Sequence, residues 1–297
     1  SSHYISNITK NIEQYRTTSK KQYVIILKNM ENESTAEKLL NEGLELLSSE
    51  KPQKQKKGFY SLRGATALGH MKAFYYEGVC YKEGLGIYQS DERAFERFLV
   101  AADEVPEAKY ELGLCYIHGM GTEQDIDKAV ACFSDAAQRG VPEAQYELGV
   151  CYRRGEGVEQ DIKTALYWYE KAASQGYLRA YHNIGIVYQH GLGGIPTDYN
   201  KAFNYFLKAA NEESTEPYFC IGNCYLNGLG VEKNEKEAAC WFQKAAELGE
   251  PDSMFHLAWM YQEGVGVERN SELSTEYLYK AAEAGWEPAI RIIKGEN

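Results

Sequence analysis

A chain of 297 residues, 44% hydrophobic and 25% charged, has the composition of a folded protein of the aqueous phase; its best apolar stretch, Tyr23–Leu27, falls far short of the roughly 18 residues of a membrane span. The net charge of −11 is unevenly spread: residues 1–72 carry 12 Lys/Arg against 7 Asp/Glu, which leaves 20 against 36, or −16, for residues 73–297. So acidic a segment repels a phosphate backbone, which argues against nucleic acid as a partner; a basic peptide or protein surface suits it better, unless the acid serves solubility alone.

Residues 1–35 read as one amphipathic helix (Ile5, Ile8, Ile12, Tyr15, then Tyr23–Leu27), an N-terminal extension that either caps the rest of the chain or projects from it and self-associates. The chain starts Ser1-Ser2-His3, without Met and without a signal-peptide pattern, so the expected compartment is the cytoplasm, with room for a trimmed targeting segment. Residues 36–72 read as a degenerate capping repeat: Ala36-x-x-Leu39-Leu40-x-x-Gly43, then Gly58–Gly69, with Lys51–Lys57 standing where a turn is expected. From there the sequence repeats itself. Ala73, Ala108, Ala144, Ala180, Pro217, Ser253 and Ala289 succeed one another at intervals of 35, 36, 36, 37, 36 and 36 residues. An internal period in this range means a solenoid of helical hairpins, each burying its apolar face against its neighbours. Six such repeats fill residues 73–288. Residues 289–297 remain for a C-terminal capping helix and tail, with Pro288–Ile293 forming a short helix that turns Ile290 and Ile293 inward.

Residues 108–143 show the parts of one repeat. Helix A runs from near Ala108 to Ile117–His118, with Leu112 and Tyr116 on one stripe and Gly113 admitting a close neighbour. Gly119-Met120-Gly121 stops it, because glycine takes the left-handed conformation that turns the chain back. Asp125 caps helix B, which carries Ala129, Phe133 and the pair Ala136/Ala137; Gly140 ends it. Equivalent caps are expected at Asp91, Asp161, Asp198, Asn234 and Asn270, and Asn234 with Glu237 has the spacing of a capping box. The extra residue of the 37-residue repeat falls near Gly193-Gly194-Ile195-Pro196, in the turn, where an insertion costs least.

Reactive constellations are missing from the pattern. Each Gly-x-Gly comes after a helix, whereas a dinucleotide fingerprint comes after a strand. The six histidines show no metal spacing, and no Ser/His/Asp set stands out. Seven cysteines read as reduced core residues; Cys220 and Cys224 share a helix face, but no second pair completes a zinc site. No catalytic residue, metal or cofactor is expected.

Taken together these residues resemble the Sel1-like repeat family, a relative of the tetratricopeptide repeat. The fifth repeat carries the family pattern at Gly222, Tyr225, Gly228, Gly230, Val231, Ala238, Trp241, Phe242, Lys244, Ala245, Ala246 and Gly249. The resemblance covers about residues 73–290 and implies an all-α fold, a right-handed α-solenoid of TPR-like hairpins, with a role as scaffold or adaptor for protein complexes. A branch of β-lactamase-like, cysteine-rich secreted proteins staples each repeat with a disulfide. Here the stapling positions hold Ala108/Ala137 and Ala144/Ala173, so the staple is absent and the enzymatic label goes with it.

By analogy with tetratricopeptide arrays, helix A lines the concave face, and its third position forms a column: Tyr75, Tyr110, Tyr146, His182, Phe219 and Phe255. Such a ladder suits peptide recognition, although the same rings can simply pack between hairpins. Specificity belongs where the repeats differ: Arg153 and Arg154, His190, Asn223 and Trp259. The arginine pair can fork onto a carboxylate or phosphate, or pair with Glu156 or Glu159. The resulting expectation is a non-catalytic adaptor that holds a protein or peptide partner. The alternatives are a hydrolase-like activity on the same scaffold and a self-associating structural module.

Overall fold

A computed structural model describes residue 28, residues 31–210 and residues 215–295; most of the helix expected over 1–35 lies outside the described residues. Among the described residues there are fifteen α-helices and no strand. They are α1 (31–47), α2 (Pro52–Ala67), α3 (Met71–Glu83), α4 (Asp91–Ala101), α5 (Pro106–His118), α6 (Ile126–Gln138), α7 (Pro142–Arg154), α8 (Ile162–Ser174), α9 (Leu178–His190), α10 (Tyr199–Ala209), α11 (Glu216–Asn227), α12 (Glu235–Glu247), α13 (Pro251–Glu263), α14 (Ser271–Glu283) and α15 (Glu287–Lys294). The fold is an all-α solenoid in which, from α3 onward, odd-numbered helices are helix A of a repeat and even-numbered ones helix B. None of the described helices is long and apolar enough to cross a membrane. Two compact units divide the chain, residues 1–136 and 137–297.

In the first unit, α1 and α2 form a hairpin whose Ala36, Leu40, Phe59, Leu62 and Ala65 join one core with Ala73, Phe98 and Ala108. The two helices cross at glycines: a Cβ on Gly58 would stand 2.8 Å from the Gly43 carbonyl oxygen. Pro52 opens α2, as its fixed φ allows. Lys54, Lys56 and Lys57 therefore lie on that helix and not in the turn where the sequence pattern suggested them.

The repeats hold together through three devices. The first is a glycine under a ring. On helix A, a Cβ at Gly78 would come 2.6 Å from the Phe98 ring; in the second unit, Gly149 and Gly222 would meet Tyr169 and Phe242 at 2.7 Å. Bare glycine lets the helix B ring lie on the helix A backbone, and the ring is fully buried, which contributes about 2–3 kcal/mol in each repeat. The sixth repeat trades sizes: Ala258 stands in the glycine column and Leu278 in the ring column.

The second device is the turn. Gly119 adopts φ 66° and ends α5, and the Met120 N–H then donates to the Cys115 carbonyl at 2.9 Å. Gly121 has a separate duty: a Cβ there would strike the backbone carbonyl of Asp91, so this glycine lets the turn sit on the start of the preceding helix B. In the second unit, Gly230 sits in the same way on Tyr199, and Gly266 on Glu235.

The third device is a backbone bond that closes each hairpin. The N–H of the residue capping helix B donates to the carbonyl of a helix A tyrosine: Ser90 to Tyr81 and Asp125 to Tyr116 in the first unit, then Asp161 to Tyr152, Asp198 to Tyr188, Asn234 to Tyr225 and Asn270 to Tyr261 in the second, every one at 2.9 Å. The extra residue of the fourth repeat leaves this bond intact. Gly193 keeps its place against Ile162, and Gly194 bulges into open space.

Three local expectations need correction. The cap of α4 is Ser90, whose Oγ accepts from the Arg93 N–H at 3.3 Å, and Asp91 is the first helical residue. Counting from the second glycine of the turn explains it, since Gly86 precedes Ser90 by the same four residues that separate Gly121 from Asp125. Asn234 accepts from the Lys236 and Glu237 N–H groups, but the reciprocal half of a capping box does not form because the Asn234 N–H is already given to Tyr225. On α15, Ala289 is buried and Ile290 half-buried, whereas Ile293 is 37% exposed. Ile293 occupies the leucine column of helix A, and among the described residues no helix B comes after α15 to cover it.

The glycine–ring pairing predicts a compensating double substitution. Gly222→Ala and Phe242→Leu should each destabilise, by overpacking and by a cavity, each by about 1–3 kcal/mol. Together they recreate the Ala258/Leu278 pair, and a double-mutant cycle of urea unfolding should recover about 1 kcal/mol or more; additive losses would contradict the pairing.

Candidate partner-binding face

The six third-position rings of helix A are half-buried, and five of them are seated in one way. In the first unit Tyr75 tilts onto Phe98 (6.1 Å between centroids, 42°) and Tyr110 onto Phe133 (5.9 Å, 41°). In the second unit Tyr146 meets Tyr169 (5.7 Å, 44°), His182 meets Phe206 (5.8 Å, 44°) and Phe219 meets Phe242 (5.8 Å, 47°). The ladder is thus a second layer laid on the buried helix B rings, with one part of each ring packed and the other toward solvent. Phe255, opposite Leu278, lacks an aromatic partner there and touches His256 edge-on at 6.5 Å.

The arginine pair divides its work. Arg154, exposed at the end of α7, pairs with Glu156 at 3.5 Å. Arg153 turns the other way, and its Nε donates to the Tyr169 hydroxyl at 3.3 Å. Burial pushes that hydroxyl up to about 12, while Arg153 pulls in the opposite direction. Tyr169 is the one tyrosine in a column that otherwise holds Phe98, Phe133, Phe206, Phe242 and Leu278, and this departure is the signal in the sequence that marks it. Tyr177 adds a further ring, 5.1 Å from Tyr146, so Tyr146 lies between two tyrosines.

His182 is held below the usual imidazole range, chiefly by burial; Glu216 works to raise it and Arg153 to lower it. Its Nδ1 is buried without a hydrogen-bond partner. His190 is exposed at the end of α9, Asn223 is half-buried with its carbonyl accepting from Asn227, and Trp259 is 41% exposed on α13. His256, half-buried, lies edge-on to Phe219 at 5.3 Å. Among the described residues, no three His, Cys, Asp or Glu side chains gather as metal ligands do. The seven cysteines are free thiols, six of them withdrawn by burial, so the disulfide staple is absent from the structure as from the sequence.

Comparison with known proteins places the fold. A family model described as Sel1 repeat matches residues 67–104, 106–141, 142–177, 178–214, 221–250 and 251–286. The chain belongs to the Sel1 repeat family. Sel1 repeats generally serve as protein–protein interaction modules and generally lack catalysis. The crystal structure of c5321, a protective antigen present in uropathogenic Escherichia coli strains and displaying an SLR fold, matches with a TM-score of 0.77 at 27% identity, over 88% of this chain and 56% of that one. The chain therefore spans little more than half the length of that structure. A Sel1 repeat protein from Oxalobacter formigenes matches with a TM-score of 0.74 at 30% identity, over 82% of this chain and 96% of that one. No curated protein matches the sequence.

Two measurements check this face and its surroundings. Burial raises the thiols of Cys80, Cys115 and Cys220 to about 12 and those of Cys151 and Cys224 to about 11, and it also raises Cys132, whereas Cys240 is exposed. A thiol-specific disulfide reagent at neutral pH should therefore label Cys240 quickly and the others only on unfolding. The His182 prediction concerns acid. Its folded pKa lies below the unfolded one, so the unfolded chain takes up the proton first, and stability should fall as pH drops through the ordinary histidine range toward the lower folded value. His182→Phe, the residue found at Phe219, should flatten that part of the urea-midpoint-versus-pH curve; an unchanged slope would place the imidazole in water.

Proposed function

We propose that this Sel1 repeat protein is a non-catalytic scaffold that binds a protein or peptide partner along the helix A face. The observation that carries the reading is the common seating of five of the six third-position rings, 5.7–6.1 Å from the buried helix B rings beneath them. A ring already fixed on one side gives contact area to a ligand with little entropy left to lose. The repeats differ on the same helices at Arg153, Arg154, His190, Asn223 and Trp259, so the ring column supplies adhesion and the variable positions supply choice. The charge of −16 over residues 73–297 favours a basic partner and makes association sensitive to salt.

Photo-crosslinking from defined positions tests the assignment. A benzophenone amino acid placed at exposed helix A positions (Arg154, His190, Asn227) should capture a partner in extracts of the native host, and the same group at exposed helix B positions (Tyr167, Lys208, Lys244) should not. Capture from helix B alone would move the interface to the other face. Tyr146→Ala, which strips a ring lying between Tyr169 and Tyr177, should weaken the captured complex by about tenfold or more.

A further inference from the structure

Three residues of the second unit break the columns in which they stand, and the fold brings them together. Arg153 occupies a helix A column held elsewhere by Lys82, Ile117, Gln189, Leu226 and Gln262. Tyr169 carries the hydroxyl that its counterparts lack. His182 is the only imidazole in the ladder column. A buried phenol hydroxyl is costly without a partner, and Arg153 supplies one through Nε at 3.3 Å. An arginine bonded through Nε still offers the paired donors of its two Nη atoms, in a plane the first bond has fixed. Among the described residues no carboxylate is paired with Arg153, although its neighbour Arg154 finds Glu156 at 3.5 Å and residues 73–297 carry 36 acidic side chains against 20 basic. In so acidic a segment, a half-buried guanidinium that is oriented yet given no acid is arranged to receive one from outside.

The surroundings select the anion. Glu147 acts electrostatically on Tyr169 and Tyr177, and Glu216 on His182. A doubly charged phosphate would be repelled by both, whereas a planar single charge matches the guanidinium edge. The geometry points to a carboxylate subsite at Arg153 that receives the C-terminal carboxylate of an otherwise basic peptide and so fixes the direction in which the peptide lies along the helix A face. This rests on the partner-binding reading above. The basic side chains answer the acidic repeats, and the carboxylate answers the one arginine that the Tyr169 hydroxyl orients among the described residues.

The test uses the full chain and a fluorescein-labelled pool of basic peptides, about half Lys or Arg, made with either a free C-terminal carboxylate or a C-terminal amide. In fluorescence anisotropy at low ionic strength, the carboxylate pool should bind about tenfold more tightly than the amide pool. Arg153→Gln should abolish that preference, so that the two pools bind the variant with equal affinity. The double variant Arg153→Gln/Tyr169→Phe recreates the Gln189/Phe206 combination of the fourth repeat, so it keeps the core satisfied and should give the same loss. Acetate should compete with the carboxylate pool better than inorganic phosphate does. Equal affinity for the two pools, or a preference that survives both variants, sinks the subsite while leaving the partner-binding face standing. Stronger competition by phosphate overturns the choice of anion. If neither pool binds, the face and the subsite fall together.

Discussion

The contact on which the repeats depend is a ring laid on a glycine. Where helix A lacks a side chain, at Gly78, Gly113, Gly149, Gly185 and Gly222, the aromatic residue of helix B rests directly on its backbone and is fully buried. That contact sets how closely the two helices of a hairpin approach. It also sets the level at which the next ring, that of the ladder, is seated. The half-buried state of Tyr110 or Phe219 is thus inherited from Phe133 and Phe242 below. A column that looks like a binding surface and a column that looks like packing are the same stack of rings seen at two depths.

Much of this was legible in the sequence because it recurs. Periodicity identified the hairpins, and the Gly-x-Gly turns and the Asp and Asn caps announced their boundaries. The errors came where neighbours in space outweigh neighbours in sequence. Asp91 looked like a cap beside Ser90, yet the count from the turn glycine decides which side chain reaches the free amides. Asn234 and Glu237 have the spacing of a reciprocal cap, but the Asn234 amide is spent on a carbonyl nine residues back. Arg153 and Arg154 are adjacent in the chain and diverge in space, because successive positions on a helix point about 100° apart. Nothing in a linear reading says which of the two will meet the Tyr169 hydroxyl. The departures within a column carried that information: one tyrosine among phenylalanines and one imidazole among larger rings.

On the proposed reading, electrostatics divides into a diffuse and a local part. The excess of acid is spread over many repeats and gives a diffuse field, suited to drawing in a basic partner without choosing its register. Arg153 is the local part, held in place by a core residue and not by a surface acid. Much of the acidic surface is solvated or locally paired, as at Lys128 with Asp125 and Lys280 with Glu276. Pairs so exposed contribute little to stability.

A last departure lies in the first unit. The leucine column of helix A (Leu112, Leu148, Ile184, Ile221, Leu257) begins with Glu77, which is 2% exposed and answered by Arg97 at 3.4 Å and, from α2, by Arg63 at 3.9 Å. Arg97 belongs to the same hairpin and carries most of the pairing; Arg63, more than half exposed, adds a weaker second charge from the hairpin before. Glu77 therefore works as an address. The repeat that bears it is best matched by the neighbour that brings Arg63. Repeats that look interchangeable in outline are marked at this position, and a shuffled array that parted α3 from α2 would leave Glu77 to Arg97 alone.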